Sequence, residues 1–297
     1  MFILKPFKPA SLVVALLMLS AAIITSCTKS GLSPKKALDA TTTPPKALDS
    51  VTYFWGDMSG TRQNDLDIIK YTSDGKIASV VNTEGGYQVS DANFTYQGDK
   101  IILSTNAKDV YTLDSQGRVS LHDSKYVETN GDTVSYEEQY HYDGNGYLSK
   151  VLLTGSFIYG KYVYGEISYA VQNGNYTSYT LSDTTGNNVT RKYTFTYNNT
   201  PVNSAFSFYS PIFANNTFTA IEKYLNFGKQ SANQITSIDY VITKVDNSSQ
   251  SGTFTVNSTF DANGNITNLS LAGPAITGQP ADNLSPLPRQ VSFTYNK

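Results

Sequence analysis

Several residues in this chain have the types and spacing that chemistry requires. Asp65 and Asp67 stand two apart, and on a strand with Leu66 turned inward they share one outward face. Paired carboxylates are the machinery of glycoside hydrolysis, and Glu138 with a neighbour across its hairpin makes a second such pair. With 24 acidic residues in the chain, however, pairs of this kind arise by chance. The two histidines, His122 and His141, cannot form a His-Glu-x-x-His zinc motif. Asp143-Gly144-Asn145-Gly146 begins like a calcium loop, yet its glycine comes at the fourth position rather than the sixth and no Glu closes twelve residues. Neither a Gly-x-Ser-x-Gly nucleophile elbow nor a phosphate-cradling glycine loop is present. The expectation is therefore no metal, no cofactor and no catalytic set. Cys27 is the single cysteine and has no intramolecular disulfide partner, so its chemistry must be of another kind.

The surroundings of Cys27 supply one. Residues 1–26 place Lys5 and Lys8 before an apolar run from Leu12 to Ile24 that only Ser20 interrupts. This is the layout of a secretory signal, and the run is short for a membrane span. Ile24-Thr25-Ser26-Cys27 follows, which resembles the lipobox of bacterial lipoproteins. That resemblance implies cleavage between Ser26 and Cys27, a diacylglyceryl thioether on Cys27 and acylation of the new amino group. The competing reading is an ordinary secretory signal with a chance cysteine. Acyl chains contribute roughly 0.8 kcal/mol per buried CH₂, so two or three of them hold a protein on a membrane essentially permanently. By the same resemblance, Thr28 in place of Asp implies the outer membrane, and the lack of an acidic run behind Cys27 favours the periplasmic face over the cell surface.

Residues 27–50 read as a lipid-anchored flexible tether, rich in Ser, Thr, Pro and Lys and carrying Lys-Ala-Leu-Asp twice. As a coil it spans roughly 25 Å. From 51 to 297 a single grammar repeats. Tyr193, Phe195 and Tyr197 alternate with Lys192, Thr194 and Thr196; Phe254 and Val256, and Val291, Phe293 and Tyr295, do the same. Turns recur at Tyr71 to Ile77, Tyr111 to Val119, Tyr142 to Leu148 and Phe260 to Ile266, where an aromatic ends one strand, Asp opens the turn and Gly supplies positive φ. The pattern predicts an all-β, antiparallel up-and-down meander, curved or closed into a barrel. Thr219 to Glu222 resembles a capping box, Ile221, Tyr224 and Leu225 share a helical face, and Gly228 fits a stop, which predicts one short helix at 220–227.

Tyr142-Asp143-Gly-Asn-Gly146-Tyr-Leu148 and Phe260-Asp261-Ala-Asn-Gly264-Asn-Ile266 look like the YD repeats of RHS-type proteins. The whole arrangement resembles a family of Gram-negative lipoproteins of unknown function with a porin-like fold, in which such hairpins flank a Lys-Ser-x-Asn run. Phe227-Gly228-Lys229-Gln230-Ser231-Ala232-Asn233 is similar, with one residue inserted. The resemblance implies a fold for residues 51–297 and no assigned chemistry.

Composition narrows the function further. Removing Lys5 and Lys8 with the signal leaves 20 basic against 24 acidic residues, about −4, which excludes nucleic-acid binding by bulk electrostatics. With 39% hydrophobic and 15% charged residues the chain can support a core. Lys192, Asp239 and Glu138 fall mid-strand, against the apolar band of a transmembrane barrel. The 22 Tyr and 14 Phe serve cross-strand packing or, where exposed, stack on sugars or grip peptides. Tyr209, Phe213 and Trp55 are the candidate binding residues. The expectation is an outer-membrane lipoprotein that binds a glycan or an envelope protein, with membrane lipid as its other partner through Cys27. A carboxylate-based glycan hydrolase and a structural subunit of an envelope complex are the alternatives.

Overall fold

The computed structural model describes residues 47–273 and 290–296, apart from 57–61, 86, 105–107, 128–130, 132, 158–159, 184–188 and 203–223. The described chain is all strand but for turns and one irregular segment. In order these are β1 (Leu48–Gly56), β2 (Arg62–Tyr71), β3 (Ile77–Glu84), β4 (Tyr87–Gln97), β5 (Lys100–Leu103), β6 (Lys108–Leu113), β7 (Val119–Val127) and β8 (Thr133–Tyr142). The second half holds β9 (Leu148–Phe157), β10 (Gly160–Gln172), β11 (Asn175–Asp183), β12 (Thr190–Pro201), β13 (Asn233–Thr243), β14 (Ser249–Phe260), β15 (Ile266–Ala272) and β16 (Gln290–Tyr295). Each strand pairs antiparallel with its sequence neighbours, and β1 pairs with β16, so the meander closes into a 16-stranded barrel without edges.

An even number of up-and-down strands returns the chain to the end where it started. Leu48 therefore lies opposite Tyr295, and Asn296 N–H donates to Ala47 O at 2.9 Å. The same end, the turn end, carries every connection that follows an even-numbered strand. β1 begins inside the segment read as tether: Leu48 is buried in the core. A register shift between Leu48 and Ser50 puts Leu48 and Val51 on one face, which breaks the period of two by which a strand is recognised.

The alternation sorts apolar residues inward. On β12, Tyr193 and Phe195 are buried and Lys192, Thr194 and Thr196 are exposed; on β13, Ile238, Tyr240 and Ile242 are buried and Asp239 is exposed. Tyrosines fill much of the interior: Tyr53, Tyr111, Tyr179 and Tyr240 are almost wholly buried, with Tyr179 stacked on Tyr193 at 4.6 Å. Among the described residues the outward face is mostly Ser, Thr, Asn, Lys and Asp with isolated aliphatics such as Ile68 and Val241. A lipid-spanning barrel needs the reverse. Glu138 departs from expectation, since it shares the inward face of β8 with Tyr140 and bonds to that residue's hydroxyl.

The repeated turns share one geometry. Asp143 N–H bonds to Tyr147 O, Gly146 N–H bonds to Asp143 O, and Asp143 Oδ1 accepts from the amides of Asn145 and Tyr147. Asp114 and Asp261 do the same for their own turns. Each turn sits beside a register shift in its hairpin, the mark of a type I turn closed by a glycine bulge. At β2–β3 the opening position is held by Thr72 rather than Asp74, and Thr72 Oγ1 accepts from Lys76 N–H. A fifth copy, Lys244 to Ser248, joins β13 to β14, with Asn247 at φ 62° in place of glycine.

Candidate functional site

The segment from Tyr224 to Ala232 leads into β13 and runs across the turn end. Part of the predicted helix, 220–223, lies outside the described residues. Tyr224 has 3₁₀ character, and 225–227 are not helical. Leu225 and Phe227 are both buried, a spacing of two that a helix cannot place on one face. The backbone finds non-local partners instead of the i→i−4 ladder: Val119 N–H donates to Asn226 O at 2.9 Å, and Lys229 N–H donates to Gly146 O at 2.9 Å. Ala232 N–H donates to Gly174 O at 3.0 Å. The segment thus ties together the β6–β7, β8–β9 and β10–β11 turns.

Side chains complete the seam. Asn226 Nδ2 donates to Gly117 O and its Oδ1 accepts from Gly228 N–H. Tyr176 Oη donates to Lys229 O, and Ser231 Oγ accepts from Tyr176 N–H. Gly228, at φ 87°, is required twice over, because a Cβ there would stand 2.6 Å from Gly146 O and 2.9 Å from the Tyr142 ring. Tyr224 Oη reaches the barrel wall and donates to Asp67 Oδ2 at 2.5 Å, where Tyr53 Oη at 3.3 Å and Asn82 Nδ2 at 2.6 Å also donate to the carboxyl.

Between this segment and two of the turns lies an open cleft of about 530 Å³, lined by Gln116, Arg118, Asp143, Asn145, Asn226, Lys229 and the glycines beside them. The Arg118 guanidinium lies 4.0 Å over the Tyr142 ring and forms an ion pair with Asp114 Oδ2 at 2.6 Å. Burial works to raise the Asp114 carboxyl, but the hydrogen bonds from Arg118 and the turn amides prevail and hold it below the ordinary Asp range. Lys229 Nζ sits 5.7 Å from the centre of the Tyr147 ring and makes no ion pair among the described residues. The floor is tied to β7: the Tyr142 hydroxyl donates to Val119 O at 2.6 Å.

The sequence-predicted carboxylate pair is elsewhere and differently used. Asp65 and Asp67 face inward, not outward, and are 7% and 1% exposed, so they do not form an open hydrolytic pair. Glu138 belongs to another interior cluster. His122, stacked on Tyr111 at 4.2 Å, turns Nδ1 toward Glu138 Oε2 and Nε2 toward Asp109 Oδ1, each at 3.4 Å. His141 is exposed on the opposite face. Ser26, Cys27, Tyr209 and Phe213 lie outside the described residues; Trp55 is in β1, opposite Gln63. Arg118 lies within the 111–119 turn motif and Lys229 within the 227–233 run, and neither motif by itself assigns the cation a role. The signal was there, because both motifs hold a cation next to a positive-φ glycine.

No protein-family model matches the chain, and no curated protein does. Solved structures do. A porin-like protein from Bacteroides uniformis superposes with a TM-score of 0.59 at 17% identity, covering 86% of this chain and 100% of that one. The fold is porin-like. A second porin-like protein, from Bacteroides vulgatus, gives a TM-score of 0.54 at 12% identity, over 84% of this chain and 99% of that one. At such identities the likeness carries the barrel alone, and in this porin-like barrel the interior is packed with Tyr, Ile, Leu and Val.

Proposed function

We propose that this protein is an outer-membrane lipoprotein, anchored through acylated Cys27 after cleavage behind Ser26, whose porin-like barrel works at the periplasmic face as a binding module and not as a channel. The sorting carries this reading: among the described residues buried tyrosines and aliphatics take most inward positions, where a water-filled channel would be lined by polar side chains, and a polar outer wall suits solvent better than lipid. Porin-like neighbours support an envelope location. The partner is an envelope glycan or protein. The hydrolase alternative loses its first carboxylate pair with the burial of Asp65 and Asp67. Expression of the full chain in a Gram-negative host with radiolabelled palmitate tests the anchor. Label in the outer-membrane fraction that disappears in Cys27→Ser is the expected result, and an unlabelled, soluble periplasmic protein overturns it. Added to planar bilayers, the purified protein is expected to leave conductance at baseline; discrete channel steps would refute the closed-barrel reading.

A further inference from the structure

The cleft at the turn end has a chemistry that selects among ligands. Two cations border it, Arg118 and Lys229, and two carboxylates answer them, Asp114 in its ion pair with Arg118 and Asp143 in the lining. The balance is zero, which does not favour an anion or a nucleic acid. No aliphatic side chain lines the cleft, and the closed barrel has no strand edge, so the pockets and backbone pairing that hold a peptide are both missing among the described residues. What remains is a dense set of donors and acceptors: the amides of Gln116 and Asn145, Asp143, Lys229 and the outer edge of Arg118.

Hydroxyl groups that both donate and accept are the natural complement, and about 530 Å³ accommodates a small oligosaccharide. The shape is set before binding. A Cβ at Gly146 would stand 3.4 Å from Arg118 Nη1 and 3.8 Å from Lys229 Cε, so the two long side chains flank a bare backbone. Both are steered by rings, Tyr142 and Tyr147, that belong to the YD-like hairpin itself. Rigid framing of this kind lowers the ordering cost of association.

We infer that the cleft between the β6–β7 turn, the β8–β9 turn and residues 226–229 is a binding site for a neutral saccharide. This rests on the binding-module reading and names its ligand class and its site. The test is calorimetric titration of the full chain with chitotetraose and cellotetraose, beside polygalacturonate and inorganic phosphate as anionic probes. Saturable binding of a neutral tetraose is expected, weakened at least about tenfold in Gln116→Ala/Lys229→Ala, a loss of about 1.4 kcal/mol. Both side chains are exposed, so the variant keeps the wild-type melting temperature. Binding of the anionic probes alone, or neutral binding unchanged in the double variant, overturns the site. Capture of a defined envelope protein without any saccharide binding also overturns it while sparing the binding-module reading, and the palmitate experiment judges the anchor separately.

Discussion

Tyr224 Oη donates a 2.5 Å hydrogen bond to Asp67 Oδ2 across 157 residues of chain. This contact pins the segment that crosses the turn end to β2, inside a barrel whose strands pair with their sequence neighbours and, at the closure, β1 with β16. Tyr224→Phe removes the donor and leaves Asp67, 1% exposed, with one fewer partner. A loss of roughly 1 to 3 kcal/mol is expected in urea denaturation, with faster amide exchange in residues 225–232 before global unfolding. Exchange there that matches the wild type would show that the segment is held without this bond.

Gly228 makes a second prediction. Alanine at φ 87° costs roughly 1 to 2 kcal/mol for the backbone alone, and its Cβ meets Gly146 O and the Tyr142 ring. Gly228→Ala should therefore lower stability by at least about 2 kcal/mol. Gly75, at φ 81° but with nothing near its missing Cβ, should show the backbone cost alone when changed to Ala. Equal losses at the two sites would refute the close packing.

Alkaline stability follows from the buried tyrosines. Burial, and next the charge of Asp67, push the Tyr53 phenol well above its ordinary range; burial and then Tyr193 do the same to Tyr179. A phenol raised in the native state binds its proton more tightly there than when unfolded. Its stabilisation is whole below the unfolded value of about 10 and is lost as pH rises through the folded one. Stability should fall above that pH, and the tyrosinate absorbance of the buried set should appear only together with loss of near-ultraviolet circular dichroism. Complete titration of all tyrosines in a folded barrel would contradict it.

The acid side runs the opposite way. Asp114 is held below the ordinary Asp range despite its burial, by Arg118 and the turn amides, so its contribution is present above about pH 4 and is lost as pH falls through its folded value. Arg118→Met should shrink the difference in stability between neutral and mildly acidic solution. The check is a pair of urea titrations at the two pH values; an unchanged difference would assign acid sensitivity to other carboxyls.

His122 bridges two carboxyl groups inside the wall, so His122→Leu should leave Asp109 and Glu138 without the imidazole between them. The expected cost is on the order of 2 kcal/mol or more. His141→Leu, at an exposed position, should be close to neutral. Comparable melting temperatures for both variants would refute the interior role.

Much of this molecule is legible along the chain because its strands obey local rules. Period-two alternation at Tyr193 to Tyr197 gives strand and facing, and the Asp-x-x-Gly turns at 114, 143 and 261 give the hairpins, since side-chain capping and positive φ act within five residues. Those rules also carry the all-β antiparallel architecture. The pairing of β1 with β16 belongs to the tertiary structure, because it joins residues more than 230 apart and no local signal encodes closure. Local reading failed at Leu48, where a bulge masks the alternation, and at 225–227, where helix-like spacing yields to hydrogen bonds from turns more than 80 residues distant. It failed again at Asp65, Asp67 and Glu138, since polar side chains read as outward-facing until buried donors such as Tyr224 and Tyr53 turn up beside Asp67 and the Tyr140 hydroxyl beside Glu138. The cleft combines both levels. Each of its walls is a motif written in the sequence, and only the folding of residues 226–229 against Gly146 and Gly117 makes the walls face each other.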